Sequence, residues 1–314
     1  MSFDKLVSKI AELHNPTAAG LDPSFDSLPA FIKAEAITAH GSTLEAAAQA
    51  VLVFNKGLID ALCDIVPAVK PQCAYYELLG WQGMRALSET IRYASSKGMF
   101  VITDGKRNDI GSTMEAYACA HLGEVEIGGV KFSPFAADAL TVNGYLGTDG
   151  IVPLLKICEK YDKGIFVLVK TSNPSSGELQ DKLIDGNPVY ELMGGMCERW
   201  GGDGVYRHVG AYSPVGAVVG ATYPQQLHSL RNKLPHTFFL VPGYGAQGGN
   251  AKDVALAFDK NGGGAVVNSS RAIMYAYKKE GCDEREYAQA ARREAIRMRD
   301  EIGGFLRNTK GETI

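Results

Sequence analysis

Only six cysteines, six histidines and two tryptophans occur in 314 residues, and the spacing of these scarce residues excludes several classes of protein. The cysteines, at 63, 73, 119, 158, 197 and 282, form no CxxC pair. A zinc ribbon or a dithiol redox centre therefore has no ligands, and scattered thiols among apolar neighbours are those of a reduced, cytoplasmic protein. The histidines, at 14, 40, 121, 208, 228 and 236, show neither HExxH nor a His/Cys spacing suited to zinc, so no metal site is expected. Long apolar runs are missing too. No stretch of about 18 such residues could cross a bilayer, and the N-terminus MSFDKLVSKI, interrupted by Asp4, lacks the apolar core of a signal peptide. Charge of one sign is also lacking. A net charge of −3 provides no field for nucleic acid or an anionic membrane, so any anion must be held locally.

What remains is an ordinary globular composition, 46% hydrophobic and 21% charged, with enough apolar residues to bury a large core. Apolar periodicity predicts a helix over 3–14, closed by Asn15-Pro16, before any strand. Eight short apolar runs follow: 17–21, 66–69, 100–103, 139–142, 164–169, 216–220, 238–241 and 264–267. Between them the pattern predicts a Pro/Ser-containing loop after Asp22-Pro23. It also predicts helices over 43–64, 78–97, 113–122, 148–161 and 188–200, one opened by Pro224, and a last one over 283–306. Strands alternating with helices imply parallel βα units, and eight of them favour a closed (β/α)8 TIM barrel over an open sheet. No linker-like composition break divides residues 1–314, so a single α/β domain with an extra N-terminal helix is expected.

In such a barrel, functional side chains gather where the strands end. Asp22, Lys70, Asp104, Lys106, Ser172, Gln247 and Arg271 all fall there. The densest cluster is Phe100-Val-Ile-Thr-Asp104-Gly-Lys106-Arg-Asn-Asp109-Ile110-Gly-Ser-Thr113, in which an apolar strand ends in an acid, an amine and a second acid. A solvated loop with a fortuitous salt bridge would carry the same letters; convergence of so many charged strand ends on one face argues for a site. The run Gly243-Tyr-Gly245-Ala-Gln-Gly248 matches GxGxxG, but it lies late in the chain and the next strand ends in Asn268 rather than an acid, unlike a dinucleotide turn. Glycine-rich backbone after the seventh strand, with Arg271 after the eighth, suits a phosphate better.

These residues together resemble the orotidine 5′-phosphate decarboxylase family, in its longer bacterial form (type 2), over nearly the whole chain. The most specific piece, Asp104-Gly-Lys106-Arg-Asn-Asp109-Ile110, is similar to the family's D-x-K-x-x-D-I motif. Ala68-Val-Lys70-Pro-Gln72, Val241-Pro242-Gly243-Tyr-Gly-Ala-Gln247-Gly-Gly249 and Asn268-Ser-Ser270-Arg271 support it. The resemblance implies cofactor-free decarboxylation of orotidine 5′-phosphate to UMP and CO2, the last step of de novo pyrimidine nucleotide synthesis. It implies a Lys70-Asp104-Lys106-Asp109 array with Lys106 as proton donor. Asp22 and Thr113 would touch the ribose, Ser172 the pyrimidine, and Gln247 and Arg271 the phosphate, with Pro242, Gly243 and Ser270 beside them. It further implies a homodimer in which Asp109 and Ile110 reach the neighbouring site. The polar loop 171–187 is long enough for a lid. Three rivals use the same residues: a metal-assisted sugar-phosphate decarboxylase, a Schiff-base aldolase on Lys70, Lys106 or Lys170, and a phosphate-ligand binding protein without turnover.

Overall fold

The eight apolar runs pair side by side until the last meets the first. A computed structural model describes residues 2–202, 212–245 and 249–309. The barrel strands are β1 (Thr17–Leu21), β2 (Ala68–Pro71), β3 (Phe100–Arg107), β4 (Ala139–Val142), β5 (Gly164–Lys170), β6 (Val215–Val219), β7 (Phe239–Val241) and β8 (Ala265–Ser269). They close in sequence order, every neighbouring pair parallel, as the alternation of strand and helix requires. The expected (β/α)8 barrel is the observed one.

Around it run α1 (Ser2–Leu13), α2 (Ala30–His40), α3 (Leu44–Leu62), α4 (Cys73–Glu77), α5 (Gly80–Ser96), α6 (Gly111–Leu122) and α7 (Thr148–Tyr161). Then come α8 (Val189–Gly202), α9 (Pro224–Lys233), α10 (Ala251–Ala255), α11 (Arg271–Met274), α12 (Ala276–Glu280) and α13 (Tyr287–Thr309). Helix α3 starts where Thr43 Oγ1 accepts the Ala46 N–H, and its alanines 46, 47, 48 and 50 are all buried. Small side chains at those positions let the helix lie close against its neighbours.

The extra helix α1 has a definite job. Phe3 stacks into the lower mouth of the barrel, its ring centroid 4.9 Å from Phe166 and 5.3 Å from Phe238, and with Leu6 it joins the inward-facing Ile102, Val218 and Val266. Burying one such aromatic ring is worth about 1.5–3 kcal/mol. Lys5 reinforces the plug with an ammonium 2.8 Å from Asp138. One end of the barrel is thus sealed by apolar contacts, and the polar strand ends lie at the other.

The structure departs from the sequence reading between the strands. The segment after Asp22, read as loop, contains α2; only Ile32 and Ala36 of that helix are buried, so it presents no apolar stripe to mark it. The helix expected over 78–97 is α5, and a short helix that was not expected, α4, precedes it. A hairpin, Val125–Ile127 with Val130–Phe132, precedes β4, turned by Gly128-Gly129 at φ +59° and +82°. The two-glycine turn between alternating residues was its signal. The 171–187 loop holds a 3-10 turn, Pro174–Glu178, and a small hairpin pairing Leu183–Ile184 with Asn187–Pro188. Among the described residues, no helix is long and apolar enough to cross a membrane.

Candidate active site

Lys70, Asp104 and Lys106 sit within strands rather than beyond them. Lys70 is the third residue of β2 and is almost wholly buried. Asp104 and Lys106 belong to β3, at a point where its pairing with β4 is irregular: Thr103 lies opposite Leu140 but Arg107 opposite Val142. Three residues, Asp104, Gly105 and Lys106, therefore face the single residue Thr141. Such a bulge redirects side chains out of the regular pleat. Lys106 completes it in the left-handed region, φ +49°, which non-glycine residues seldom adopt.

Thr141 holds this bulge together, and nothing in the sequence pattern singled it out. Its Oγ1 accepts the Lys106 backbone N–H at 3.0 Å and donates to Asp104 Oδ1 at 2.8 Å. The same Oδ1 accepts the Lys106 ammonium at 2.6 Å, while Oδ2 accepts the Lys70 ammonium at 2.5 Å. One carboxylate thus stands between two ammonium groups, and the three carry a net positive charge.

Burial alone would disfavour the charged form of Asp104, but the charges of Lys70 and Lys106 outweigh it and hold the carboxyl well below the usual carboxylate range. For Lys70 burial again opposes charge, and the carboxylates of Asp104 and Asp22 more than compensate, raising its pKa. Lys70 is enclosed, whereas the Lys106 side chain is about 45% exposed.

A cavity of about 310 Å³ opens over this array. Of the residues named from the sequence, Asp22, Lys70, Asp104, Pro242, Gly243, Ser270 and Arg271 line it. Tyr75, Tyr244 and Asn268 also line it. The Asp22 Oδ1 and Asn268 Oδ1 atoms are buried and have no hydrogen-bond partner among the described residues, a costly state unless a ligand supplies donors. Ser270 reaches the wall because its neighbour is Gly20: a Cβ there would lie 1.9 Å from Ser270 Oγ. Gly243, at φ +99°, gives the wall after β7 a backbone that L residues avoid. Tyr244 ties that wall to the C-terminal helix by donating to Glu301 of α13.

Other candidates lie apart. Asp109 is spent on its own turn, its Oδ1 accepting the Ile110 N–H at 2.8 Å, and within one chain it makes no hydrogen bond to Lys106. Ile110 and Thr113 are exposed at the start of α6. Ser172 follows β5 and does not line the cavity; it packs on Gly220, where a Cβ would come within 2.9 Å of the serine Cβ. Gln247 lies outside the described residues.

Residues 54–282 match the profile of the family described as Orotidine 5'-phosphate decarboxylase / HUMPS family. Among curated relatives, an orotidine 5'-phosphate decarboxylase of Rhodopirellula baltica is 45% identical over 309 residues, 96% of this chain and 98% of that protein. The protein of the same name from Clostridium tetani is 41% identical over 303 residues, again 96% of this chain and 98% of the relative. Among solved structures, a putative orotidine 5'-phosphate decarboxylase from Streptomyces avermitilis superposes with a TM-score of 0.73 at 30% identity, covering 97% of this chain and 95% of the other. Barrel, charged bulge, cavity and these likenesses agree: the chain belongs to the orotidine 5′-phosphate decarboxylase family.

Proposed function

We propose that this chain decarboxylates orotidine 5′-phosphate to UMP and CO2 without a cofactor, with Lys106 as the proton donor. The observation that carries this reading is the Lys70-Asp104-Lys106 cluster, two ammonium groups fixed on one carboxylate, of which Lys70 and Asp104 line the cavity and Lys106 is joined to it through Asp104. As the C6–carboxylate bond breaks, its electron pair stays on C6 and CO2 leaves. No neighbouring carbonyl can delocalise that pair. An ammonium held beside C6 stabilises it and then gives it a proton, after which Lys106 is reprotonated from water. A unit charge pair at ~4 Å and an effective dielectric of ~20 is worth about 4 kcal/mol, or roughly three decades of rate. Lys70 offsets the carboxylates in a site that must accept an anionic substrate.

In this reading the phosphate lies between the ends of β7 and β8, against Pro242, Gly243, Ser270 and Arg271, and Gln247 is assigned to it by the sequence motif alone. Asp22 and Thr113 take the ribose and Ser172 the pyrimidine. Binding energy gained at the phosphate, far from the breaking bond, is available for closing the site. Purified protein is expected to deplete the absorbance of orotidine 5′-phosphate at an unchanged rate in EDTA. Loss of turnover with chelator would favour a metal-assisted reaction instead.

The working unit of this proposal is a cytoplasmic homodimer. Six free cysteines suit a reducing compartment. Leu78, Trp81, Ile110 and Tyr145, all exposed, follow three adjacent strands, β2, β3 and β4, and form apolar surface for a second copy to cover. The absence of an Asp109–Lys106 contact within one chain, beside an open Lys106, supports an Asp109 that serves the neighbouring site. Mixing inactive Lys106→Ala and Asp109→Ala proteins tests this. With free exchange of subunits, one site of each mixed dimer is intact, and activity returns to up to about a quarter of wild type. If Asp109 serves its own chain, mixing restores nothing.

A further inference from the structure

The last residue of β5, Lys170, plays no part in the chemistry above, yet its side chain is wholly excluded from solvent. Its ammonium lies 2.7 Å from Asp181 Oδ1 and donates to Ser176 Oγ at 3.2 Å. The ring of Tyr223 is 4.6 Å from it and that of Tyr190 5.6 Å, so aromatic faces cover the remaining sides. Removing an ammonium from water costs several kcal/mol unless partners are held around it. The partners here come from different places. Ser176 and Asp181 belong to the 171–187 loop, Tyr190 to α8, and Tyr223 directly precedes α9.

The pair therefore joins the loop to the barrel wall, and the two residues immediately after Lys170 are held in turn. The Thr171 N–H donates to Gln180 Oε1 at 2.9 Å, and Gln180 Nε2 donates to Thr171 Oγ1 at 2.7 Å. Ser172 packs against Gly220 on one side, and its carbonyl accepts from Thr222 Oγ1 at 3.5 Å. Gln226 Nε2 also donates to Asp181, at 3.3 Å, so α9 helps to hold the anionic end. Asp181 is about 40% exposed while Lys170 is not exposed at all. The cation is the fixed post and the carboxylate the part of the loop that fastens to it.

We propose that Lys170 is a positioning residue whose ion pair with Asp181 pins the 171–187 loop to the barrel and so sets Ser172 at the pyrimidine of the substrate. This rests on the reading of Ser172 as the pyrimidine contact. The pin acts on the base end of the nucleotide and not on the phosphate end, which the β7 and β8 loops hold.

Two ligands separate these ends: UMP carries both base and phosphate, and ribose 5-phosphate lacks the base. Calorimetric affinities for both are to be measured on the wild type, Lys170→Met, Asp181→Asn and Ser172→Ala. Loss of about one hydrogen bond's worth of base contact predicts UMP binding roughly tenfold weaker in all three variants, with ribose 5-phosphate affinity unchanged. A merely structural role would weaken both ligands together. If Ser172→Ala is selective for UMP but Lys170→Met and Asp181→Asn weaken both ligands equally, or neither, the pin is wrong. If Ser172→Ala itself fails to discriminate, the pyrimidine reading fails and the pin falls with it. Asp181→Asn alters only the partly exposed partner and keeps an oxygen acceptor, so it decides the matter should Lys170→Met not fold.

Discussion

The Lys106→Ala protein is expected to turn over orotidine 5′-phosphate about five orders of magnitude more slowly than wild type. About three decades come from losing a unit charge beside the carbanion, and at least about two from losing the proton donor. KM should change far less, because the cavity wall at Pro242, Gly243, Ser270 and Arg271 is untouched. Stability should also hold to within about 1 kcal/mol: the side chain is nearly half exposed, and Asp104 keeps Lys70 as its partner. Initial rates from the fall in substrate absorbance, alongside thermal unfolding, check both halves. Lys106→Arg separates the two contributions, since guanidinium keeps the charge but does not release its proton. A Lys106→Ala protein retaining more than about 1% of wild-type activity sinks the proton-donor role, because general acid catalysis alone is worth roughly two decades or more.

How much of this was legible in the sequence depends on how local each signal is. Eight apolar runs alternating with helices gave the barrel, because buried parallel strands must be apolar and must be joined by crossovers. The charges at Asp22, Lys70, Asp104 and Arg271 could be grouped because a barrel brings strand ends to one face, and the structure does bring those four to one cavity. Helix α2 was missed because it buries only two residues. The bulge was missed because an irregular register between β3 and β4 is a property of two strands and leaves no mark on either. Thr141 was missed for the same reason: it looks like one more β-branched strand residue, and only pairing places it opposite Asp104-Gly105-Lys106. Lys170 stands out in the sequence only as a Schiff-base candidate. Its enclosure by Asp181, Ser176, Tyr190 and Tyr223 depends on how a folded loop returns to the wall, and no spacing records that.

Asp104→Asn is expected to damage stability and catalysis together, and to give stability a pH dependence that the wild type lacks. The substitution keeps the shape but leaves two ammonium groups facing a neutral amide. Removing one partner of a buried pair typically costs about 3–5 kcal/mol, which for a chain of this size lowers Tm by roughly 5–8 °C. In the wild type the lowered carboxyl of Asp104 contributes stability above the usual carboxylate range, lost only as pH falls through its folded value. The raised amine of Lys70 contributes stability below its ordinary value near 10.5, lost only as pH rises through its higher folded one. Between about pH 5 and 9 the array therefore adds a constant amount. Without Asp104 the balance at Lys70 changes, because burial, the strongest influence on it, opposes the charge and Asp22, with a smaller effect of Cys73, is left to answer it. The folded protein then binds this proton less tightly than the unfolded chain, so stability rises as pH climbs from 7 towards 10. Urea midpoints at several pH values should climb in Asp104→Asn and stay flat in the wild type; a flat variant would mean that Asp104 is not what keeps Lys70 charged. Lys70→Met combined with Asp104→Asn should restore the midpoint, since the unpaired ammonium that remains, that of Lys106, is nearly half exposed, but not the turnover. That outcome would separate the two uses of the pair. A buried carboxylate between two amines adds little that a well-packed apolar pair could not, and in the proposed mechanism its presence answers to the charge that must be met at the substrate.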